Sequence, residues 1–338
     1  MVWRSLRGDF KPLAEPAGGY EAFARAWSVP VDHPRLAQRQ NQPVVTWLGH
    51  VTVLLQIAGL NILIDPTLST HAGPYGRSGA QRRVPAPLQP AQLPPIDVVL
   101  ISHNHYDHLC HGTITELMVA GQTPRFFVPL GLKHWFDARG IRNVTEVNWW
   151  DTHALDVPGG EAQADFDPLR LHFTPAQHWS RRTPWDTNAS RWGGYLLEWQ
   201  SQGTQKAAPW RFLFPGDTGY SADFKAIRAR LGAVDFVALP IGAYLPRDFM
   251  KPMHVNPAEA VQLLLDVGAR QAMAVHWGTF MLTQETFDAP PRDLAIALRK
   301  ADLPPDTVWL MRQGETRAIP MGSSSVIGAS SAGGTSSA

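Results

Sequence analysis

Hydrophobic residues in the first part of the chain form short runs of the kind that β-strands contain. The runs Val44–Leu48, Val51–Ile57 and Asn61–Ile64 are rich in β-branched and aliphatic residues. Gly49 and Gly59 separate them. Runs of this composition divided by turn residues predict a meander of strands.

A different pattern begins with Ile96–Ser102, a continuous apolar run that is typical of a strand buried on both faces. Strands and helices then alternate, and the best-defined helices are Ser221–Leu231 and Pro257–Val267. The second helix has Asn256 as its N-cap and Glu259 three residues later, which predicts a capping box. This order favours an α/β protein with face-to-face sheets and helices outside. The remaining predicted strands are Phe126–Val128, Leu169–Phe173, Gly194–Trp199, Arg211–Phe214, Phe236–Pro240 and Gln271–Val275.

Composition divides the chain into three parts. Prolines and glycines interrupt residues 1–42, which predicts an irregular arm with one short helix near Tyr20–Trp27. Residues 43–320 are expected to form one domain. The Ser-, Gly- and Ala-rich residues 321–338 predict a disordered tail. Within the domain, the loop Pro66–Pro95 is long, and loops of that length are usually functional or mobile.

Charge and cysteine content narrow the functional class. The formal net charge is +1 and like charges do not cluster, so nucleic acid is not expected as a partner. The single cysteine, Cys110, fits a reducing compartment. No signal-peptide pattern begins the chain, and no apolar run reaches roughly 18 residues. These features predict a cytoplasmic protein with no membrane-spanning segment.

Candidate chemistry is concentrated directly after the buried strand. His103, His105, Asp107 and His108 lie within six residues of one another, and imidazole and carboxylate are ligands that Zn²⁺ prefers. One catalytic zinc takes about three protein ligands, so four candidates suit two neighbouring ions. The alternative is a polar turn whose histidines are only solvated, and the density of ligand-type side chains argues against it.

Three further ligand-type residues follow apolar strands elsewhere. His178 comes after Leu169–Phe173, Asp217 after Arg211–Phe214, and His276 ends the run beginning at Gln271. A lone histidine at such a position is more often a packed residue than a ligand. Together with the cluster, however, the three complete two three-ligand sites and one bridge.

The same segments resemble the metallo-β-lactamase-fold superfamily, whose signature is H-x-H-x-D-H. Within it, the chain resembles the N-acylphosphatidylethanolamine-hydrolysing phospholipase D family over roughly residues 44–314. The segments that carry the resemblance are Thr46–His50, Leu93–Asp97, Leu100–Leu109, Val128–Leu132, Gln177–Trp179, Gly216–Tyr220, Pro240–Tyr244 and Ala274–Phe280.

That resemblance implies a four-layer αβ/βα sandwich with a metal centre at one edge. It implies one zinc on His103, His105 and His178. A second zinc would lie on Asp107, His108 and His276, with Asp217 as the bridge. Iron or manganese in place of zinc stays open. The resemblance also suggests a homodimer.

The charge of such a centre favours a substrate class. Two divalent ions, two aspartates and a bridging hydroxide leave about +1 when the histidines are neutral. An anionic phosphodiester would be attracted, and hydroxide supplied at the metals would attack phosphorus in line. With the resemblance, this predicts a phospholipase D-type enzyme that cleaves N-acylphosphatidylethanolamine to N-acylethanolamine and phosphatidic acid.

Three residues are expected to assist the reaction. Asp107 is a ligand, and Asp65, which ends a strand, could hydrogen-bond a ligand imidazole, or simply be a turn residue before Pro66. His254 is the candidate acid for a poor leaving group, or else packs at a helix entrance. For His50, packing is the favoured interpretation.

Alternatives remain at the level of substrate and class. A soluble hydrolase of the same fold, such as a phosphodiesterase or lactonase, would use the same ligands. A metal-binding protein without turnover is disfavoured by the complete ligand set.

Phe249 and Met250 could contact a membrane surface or pack, and a role of residues 1–42 in lipid access stays open. Arg181 and Arg182 could meet a phosphate or form a solvated pair, and Trp179 and Trp277 could wall the pocket or pin strand ends.

Overall fold

A computed structural model describes residues 15–157, 169–200 and 208–321. Its described part contains two seven-stranded sheets and a short two-stranded hairpin. The α-helices are α1 (Gly19–Trp27), α2 (His33–Leu36), α3 (His111–Val119), α4 (Lys133–Asp137), α5 (Asp223–Leu231), α6 (Arg247–Met250), α7 (Pro257–Asp266) and α8 (Ala289–Lys300). Single 3₁₀ turns occupy Pro74–Gly76, Pro90–Gln92 and Pro305–Thr307.

The two large sheets have the same plan, with antiparallel strands on one side and parallel strands on the other. The first has the order β16-β1-β2-β3-β6-β7-β8 and the second β15-β14-β13-β12-β11-β10-β9, while β4 and β5 form the hairpin. The strands are β1 (Val44–Trp47), β2 (Val53–Ile57), β3 (Leu60–Ile64), β4 (His71–Ala72), β5 (Ala80–Gln81), β6 (Val98–Leu100), β7 (Arg125–Pro129), β8 (Val144–Val147), β9 (Thr152–Ala154), β10 (Leu169–Thr174), β11 (Gly194–Trp199), β12 (Trp210–Phe214), β13 (Phe236–Pro240), β14 (Gln271–Val275), β15 (Val308–Trp309) and β16 (Thr316–Ala318).

Both faces of the first sheet are buried because alternate side chains point to opposite sides of a strand. In β6, Val98 and Leu100 join the core between the sheets, whereas Val99 faces an outer core. That outer core contains Ile114 of α3 and Phe136 of α4. The sheet therefore packs against the second sheet on one side and against helices on the other.

The second sheet is covered in the same way. Phe224 of α5, Leu264 of α7 and Leu294 of α8 are buried with its strands. The result is the predicted four-layer αβ/βα sandwich.

Most predicted elements are present, with small differences at their ends. The predicted meander forms β1–β3, whose strands pair antiparallel. Helix α7 begins at Pro257, and the Asn256–Glu259 capping box is formed. Short elements such as α4 and β15 were not predicted, because their few residues carry little periodicity. The 321–338 tail lies outside the described residues except for Met321.

Part of the predicted N-terminal arm is helical and packs onto the domain. Phe23 of α1 contacts Trp277 edge-on, with ring centroids 6.4 Å apart, and Trp27 does so at 4.7 Å. Helix α2, which Asp32 caps, lies in a stretch expected to be irregular. The boundaries of the three predicted parts stay a prediction. No helix in the described ranges has the length and apolar character needed to cross a bilayer.

Candidate metal centre

Strand direction gathers the candidate ligands at one edge of the two sheets. Strand β6 runs parallel to β3 and β7, so the turn after it leaves at their shared C-terminal edge. Strands β10, β12 and β14 run in one direction in the other sheet, and a candidate ligand follows each. All seven candidates predicted from the sequence lie in this region, and the potential ligand atoms form overlapping groups. They are His103, His105, Asp107, His108, His178, Asp217 and His276.

Three imidazoles form the first group. Nε2 of His103 lies 2.8 Å from Nδ1 of His105, and Nε2 of His178 lies 3.2 Å from the same atom. Oδ2 of Asp217 is 3.9 Å from the Nε2 atoms of both His103 and His178. The Nδ1–H of His178 donates to the carbonyl of Met253 at 2.9 Å, which leaves its Nε2 directed at the group.

The second group shares Asp217 with the first. Nε2 of His108 lies 3.1 Å from Oδ2 of Asp217, and Nε2 of His276 lies 3.1 Å from Oδ1. Oδ2 of Asp107 is 3.6 Å from Nε2 of His108 and 3.5 Å from Nε2 of His276. The carboxylate of Asp217 therefore contacts both groups.

These spacings fit divalent metal ions. Ligand atoms about 2.0–2.1 Å from a tetrahedral ion are roughly 3.3 Å from one another, close to the separations in both groups. Buried Oδ1 of Asp217 and Nε2 of His276 lie 3.1 Å apart without hydrogen-bond geometry, and neither atom has another hydrogen-bond partner among the described residues. Buried polar atoms are normally satisfied, so a cation between them would fill an evident need. The site therefore fits a metal centre.

Asp65 supports the turn after β6, residues 103–109, which is called the ligand turn because it carries four of the candidate ligands. The Nδ1–H of His108 donates to Oδ2 of Asp65 at 2.6 Å, while Ser102 donates its backbone N–H and its hydroxyl to the two carboxylate oxygens at 2.7 and 2.5 Å. Asp65 adopts a left-handed backbone with φ of 42°. The hydrogen bond expected from the sequence is thus present, and it fixes the tautomer that exposes Nε2 of His108.

Ion pairing dominates the titration of the second group. Burial alone would lower the pKa of His276, but Asp217 and Asp107 raise it to about 9. Burial likewise opposes protonation of His108, yet the same carboxylates and Asp65 raise its pKa. The pKa values of Asp107 and Asp217 are lowered despite burial, chiefly by His108. His108 and His276 would therefore have to lose protons to coordinate a metal ion.

The first group has the opposite tendency. Burial lowers the pKa of His105 to about 3 and that of His178 to about 4. Burial also holds the pKa of His103 well below its usual range. These imidazoles are neutral near pH 7, and neutral imidazole is the form that coordinates metals.

His50 belongs to the site, and the expectation that it only packs is wrong. Its Nε2–H donates to Oδ2 of Asp107 at 3.0 Å, and its ring lies 4.3 Å from that of His276. Burial lowers the pKa of His50 to about 3, so the ring is a neutral donor. The contact orients the carboxylate of Asp107.

The backbone of His50 holds His276 as well. The carbonyl of His50 accepts the backbone N–H of His276 at 2.9 Å, and the N–H of His50 donates to Oγ1 of Thr279 at 2.8 Å. Both histidines have left-handed φ, 52° for His50 and 60° for His276. Non-glycine residues persist in this region when their surroundings enforce it, and such strain clusters at functional sites.

His254 faces the carboxylate of Asp217. Its Nδ1 lies 3.9 Å from Oδ2 of Asp217, and its ring lies 5.1 Å from that of His178. Burial lowers its pKa well below the usual range, with Asp217 opposing part of that effect. His254 is therefore next to both groups of candidate ligands, as a neutral ring.

The two tryptophans that flank candidate ligands lie in different environments: one lines the site and the other is part of the core. Trp179 contacts the ring of His105 edge-on at 4.8 Å and is partly exposed. Trp277 is buried and stacks on Trp47 at 5.5 Å. At the rim, Phe249 is exposed, whereas Met250 is buried and unavailable for a membrane contact.

The two arginines after Trp179 also differ. Arg181 is exposed, but Arg182 is partly buried and donates from one Nη1 to two carbonyls of the ligand turn, those of Asn104 and Leu109. The expectation of a solvated pair is wrong for Arg182.

Comparison with known proteins agrees with this geometry. The model of the Beta-lactamase superfamily domain matches residues 60–277. N-acyl-phosphatidylethanolamine-hydrolyzing phospholipase D 1 of Caenorhabditis elegans is 37% identical over 254 residues, which are 73% of this chain and 67% of that protein. The mitochondrial enzyme of that name from Saccharomyces cerevisiae is 37% identical over 251 residues, 74% of this chain and 50% of the yeast protein.

Solved structures share the architecture at low sequence identity. An isothiocyanate hydrolase from Delia radicum gut bacteria has a TM-score of 0.59 and 16% identity, covering 81% of this chain and 98% of that one. A metallo hydrolase from Ignicoccus hospitalis has a TM-score of 0.55 and 18% identity, covering 83% of this chain and 100% of that one. At these identities the likeness concerns the fold alone.

Proposed function

The chain belongs to the metallo-β-lactamase-fold superfamily and is a metal-dependent hydrolase, and we propose that it is a dinuclear phosphodiesterase of the phospholipase D type. The proposed substrate is N-acylphosphatidylethanolamine, and the products are N-acylethanolamine and phosphatidic acid. The two relatives named for this activity, each 37% identical, support the choice of substrate.

The observation that carries the dinuclear proposal is the position of Asp217. Its Oδ2 lies 3.9 Å from Nε2 of His103 in one group, and its Oδ1 lies 3.1 Å from Nε2 of His276 in the other. One carboxylate between two nitrogen-rich groups is the arrangement expected of a bridging ligand. Zinc is the metal we propose, because imidazole and carboxylate donors suit it.

The charges of the candidate ligands also favour an anionic substrate. Five histidines would bring no charge when they coordinate, so only Asp107 and Asp217 would offset the charge of two divalent ions, and the centre would stay positive. When bound, the ions supply Lewis-acid activation of water and of a phosphoryl oxygen. The protein's own contribution is to orient these ligands through Asp65 and His50 and to exclude bulk water.

His254 is the residue we propose to protonate the departing alkoxide. It lies beside Asp217, and Arg247 donates to its backbone carbonyl at 2.9 Å, which fixes this segment. Burial lowers its pKa in the metal-free protein. A phosphodiester anion against the ring would raise that pKa again, because an adjacent negative charge favours the protonated form.

Peripheral contact with a phospholipid surface is part of the proposal. Trp185, on the loop that follows His178, is 91% exposed, and Phe249 is exposed in the segment just before His254. Tryptophan is enriched where proteins meet the membrane interface. Failure of the protein to bind phospholipid vesicles while it still cleaves soluble diesters would count against this contact. A homodimer stays a prediction, for light scattering to test.

The second candidate is a soluble hydrolase of the same fold, which would share every ligand and differ in substrate. Incubating the metal-loaded protein with N-acylphosphatidylethanolamine vesicles and with a soluble diester in ¹⁸O-water separates the two. We expect N-acylethanolamine, and phosphatidic acid carrying ¹⁸O, because water attacks phosphorus. Cleavage of the soluble diester alone would refute the lipid substrate, and release of fatty acid would refute phosphodiester chemistry. The variant Asp217→Asn is the matched inactive control.

A further inference from the structure

Two segments far apart in sequence supply the first group of candidate ligands. His103 and His105 lie in the turn after β6, and His178 lies about 70 residues later in the loop after β10. Their ring nitrogens must converge to within a few tenths of an ångström for tight metal binding. Some contact has to hold the turn and the loop in register.

Arg182 makes that contact. Its Nη1 donates to the carbonyl of Asn104 at 2.9 Å and to the carbonyl of Leu109 at 2.7 Å. These two carbonyls lie at opposite ends of the segment that contains His105, Asp107 and His108. One side-chain nitrogen therefore ties both ends of the ligand turn together.

Tyr106 completes the connection from the other side. Its hydroxyl donates to the backbone carbonyl of Arg182 at 2.9 Å, and the guanidinium carbon lies 4.1 Å from the centre of its ring. The same guanidinium lies 5.3 Å from the ring of Trp135. The guanidinium packs against both aromatic rings, which restricts its direction.

The loop that carries Arg182 is itself well ordered by hydrogen bonds. Oδ1 of Asp186 accepts the backbone N–H of Arg182 at 2.9 Å and that of Thr183 at 2.6 Å. The N–H of Asn188 donates to the carbonyl of Ser180 at 2.7 Å. Among the described residues, no carboxylate forms an ion pair with the Arg182 guanidinium, so its hydrogen bonds are directed at the turn.

We propose that Arg182 is a positioning residue that locks the ligand turn in its metal-binding conformation and in register with His178. It touches neither metal nor substrate; it acts through the backbone of the turn. The inference rests on the proposed function only in assuming that these residues bind metal.

Chelator competition tests the proposal directly. The metal-free protein is titrated with Zn²⁺ in the presence of a chromophoric chelator, for the wild type, Arg182→Met, Arg182→Lys and Tyr106→Phe. We expect Arg182→Met to weaken the affinity of the tighter site by about 10- to 100-fold, the range seen when outer contacts of metal ligands are removed. Arg182→Lys should recover part of the loss, and Tyr106→Phe should lose about tenfold or less.

Arg181→Met is the matched control, because Arg181 lies on the same loop and, within the described part of the chain, its side chain donates only to the carbonyl of Thr183, at 3.1 Å. Its zinc affinity should equal that of the wild type. Cobalt-loaded samples add a second measurement, since the visible bands of Co²⁺ report ligand geometry. We expect those bands to shift in Arg182→Met and to stay unchanged in Arg181→Met.

The zinc affinities and cobalt spectra distinguish a failure of the proposed metal centre from a failure of the proposed role of Arg182. Weak or absent zinc binding by the wild type would refute the proposed metal centre itself. Strong binding by the wild type with equal affinity and unchanged cobalt bands in Arg182→Met would overturn the role of Arg182. A loss of thermal stability in Arg182→Met with unchanged affinity would also overturn it, because that is the result of a purely structural residue. If Arg182→Met does not fold, Arg182→Lys and Tyr106→Phe decide, and wild-type affinity in both would overturn the proposal.

Discussion

Nδ1 of His108 and Oδ2 of Asp65 lie 2.6 Å apart, and neither side chain is accessible to solvent. Because a carboxylate only accepts, the imidazole donates from Nδ1, and Nε2 is left to face Asp217 at 3.1 Å. This pair links the end of β3 to the ligand turn after β6. The orientation of one candidate ligand thus depends on a residue 43 positions earlier in the chain.

Replacing Asp65 with Asn should weaken metal binding without removing a ligand. The amide cannot accept from Ser102 and His108 with both of its terminal atoms, so one donor is left facing an N–H. We expect a loss of about 10- to 100-fold in zinc affinity. Chelator competition would measure it.

Asp97→Asn is the control for that prediction. Its carboxylate also accepts a backbone N–H, that of Asn61 at 2.7 Å, but it lies away from the ligands. Zinc affinity should be unchanged in this variant. Equal losses in Asp65→Asn and Asp97→Asn would show a general effect on the fold rather than support of His108.

His50→Ala should impair the second group selectively, because it removes the hydrogen bond that orients Asp107. Hydrogen bonds to charged groups contribute about 1.5–3 kcal/mol, which corresponds to a loss of at least tenfold in affinity for one of the two ions. His50→Gln retains an N–H donor and should recover part of it. Metal content after dialysis, measured by mass spectrometry, distinguishes one retained ion from two; two ions retained by His50→Ala would contradict the prediction.

His254→Ala should affect substrates according to their leaving groups. A poor leaving group such as an ethanolamide needs a proton, whereas p-nitrophenolate departs without one. General acid catalysis typically contributes 10²–10⁴-fold, so we expect kcat to fall by about 100-fold or more for the natural type of diester and by much less for p-nitrophenyl esters. Equal losses with both substrates would remove the assignment of His254 as the acid.

Metal uptake should release protons and strengthen as the pH rises. The folded metal-free protein has the pKa of His276 raised to about 9, and that of His108 raised as well, and both must lose a proton to coordinate. We expect release of roughly two protons per chain at pH 7 from this pair. Titration calorimetry in buffers of different ionisation enthalpy would count them, and no dependence on the buffer would contradict the prediction.

The raised pKa of His276 also makes the stability of the folded protein depend on pH. The pKa of His276 is higher in the folded than in the unfolded chain, so its ion pairs stabilise the metal-free fold fully below about pH 6.5. That contribution is lost as the pH rises through about 9. Urea unfolding of the chelator-treated protein between pH 6 and 10 should show this decline, and the decline should be smaller in His276→Ala, in which only His108 keeps a raised pKa in this group.

Local signals in the sequence account for much of the fold. Strand β13 was predicted with both ends correct, because its apolar run begins directly after Asp235 and ends at Pro240. Helix α7 was predicted from its cap, and the structure has that cap. In contrast, the partners of β16, which closes the first sheet 270 residues after β1, depend on long-range pairing that no local pattern records.

The candidate ligands could be predicted because they directly follow strands in the sequence. The residues that support them could not, because their partners are distant in sequence. His50 follows a strand too, but its partner Asp107 is 57 residues away, and nothing near His50 in sequence indicates a carboxylate. Arg181 and Arg182 are chemically identical neighbours, and only the folded loop turns one outward and the other against Asn104. The left-handed backbone of His50 is the kind of feature that identifies such a residue once the fold is known.

Anomalous diffraction from crystals of the zinc-loaded protein, recorded on both sides of the zinc edge, tests the dinuclear centre most directly. We expect two zinc peaks about 3.5–4 Å apart, as in two-metal hydrolytic sites. One should lie among His103, His105 and His178, the other among Asp107, His108 and His276, with Asp217 between them. A single peak in fully loaded crystals, or peaks outside these two groups, would contradict it.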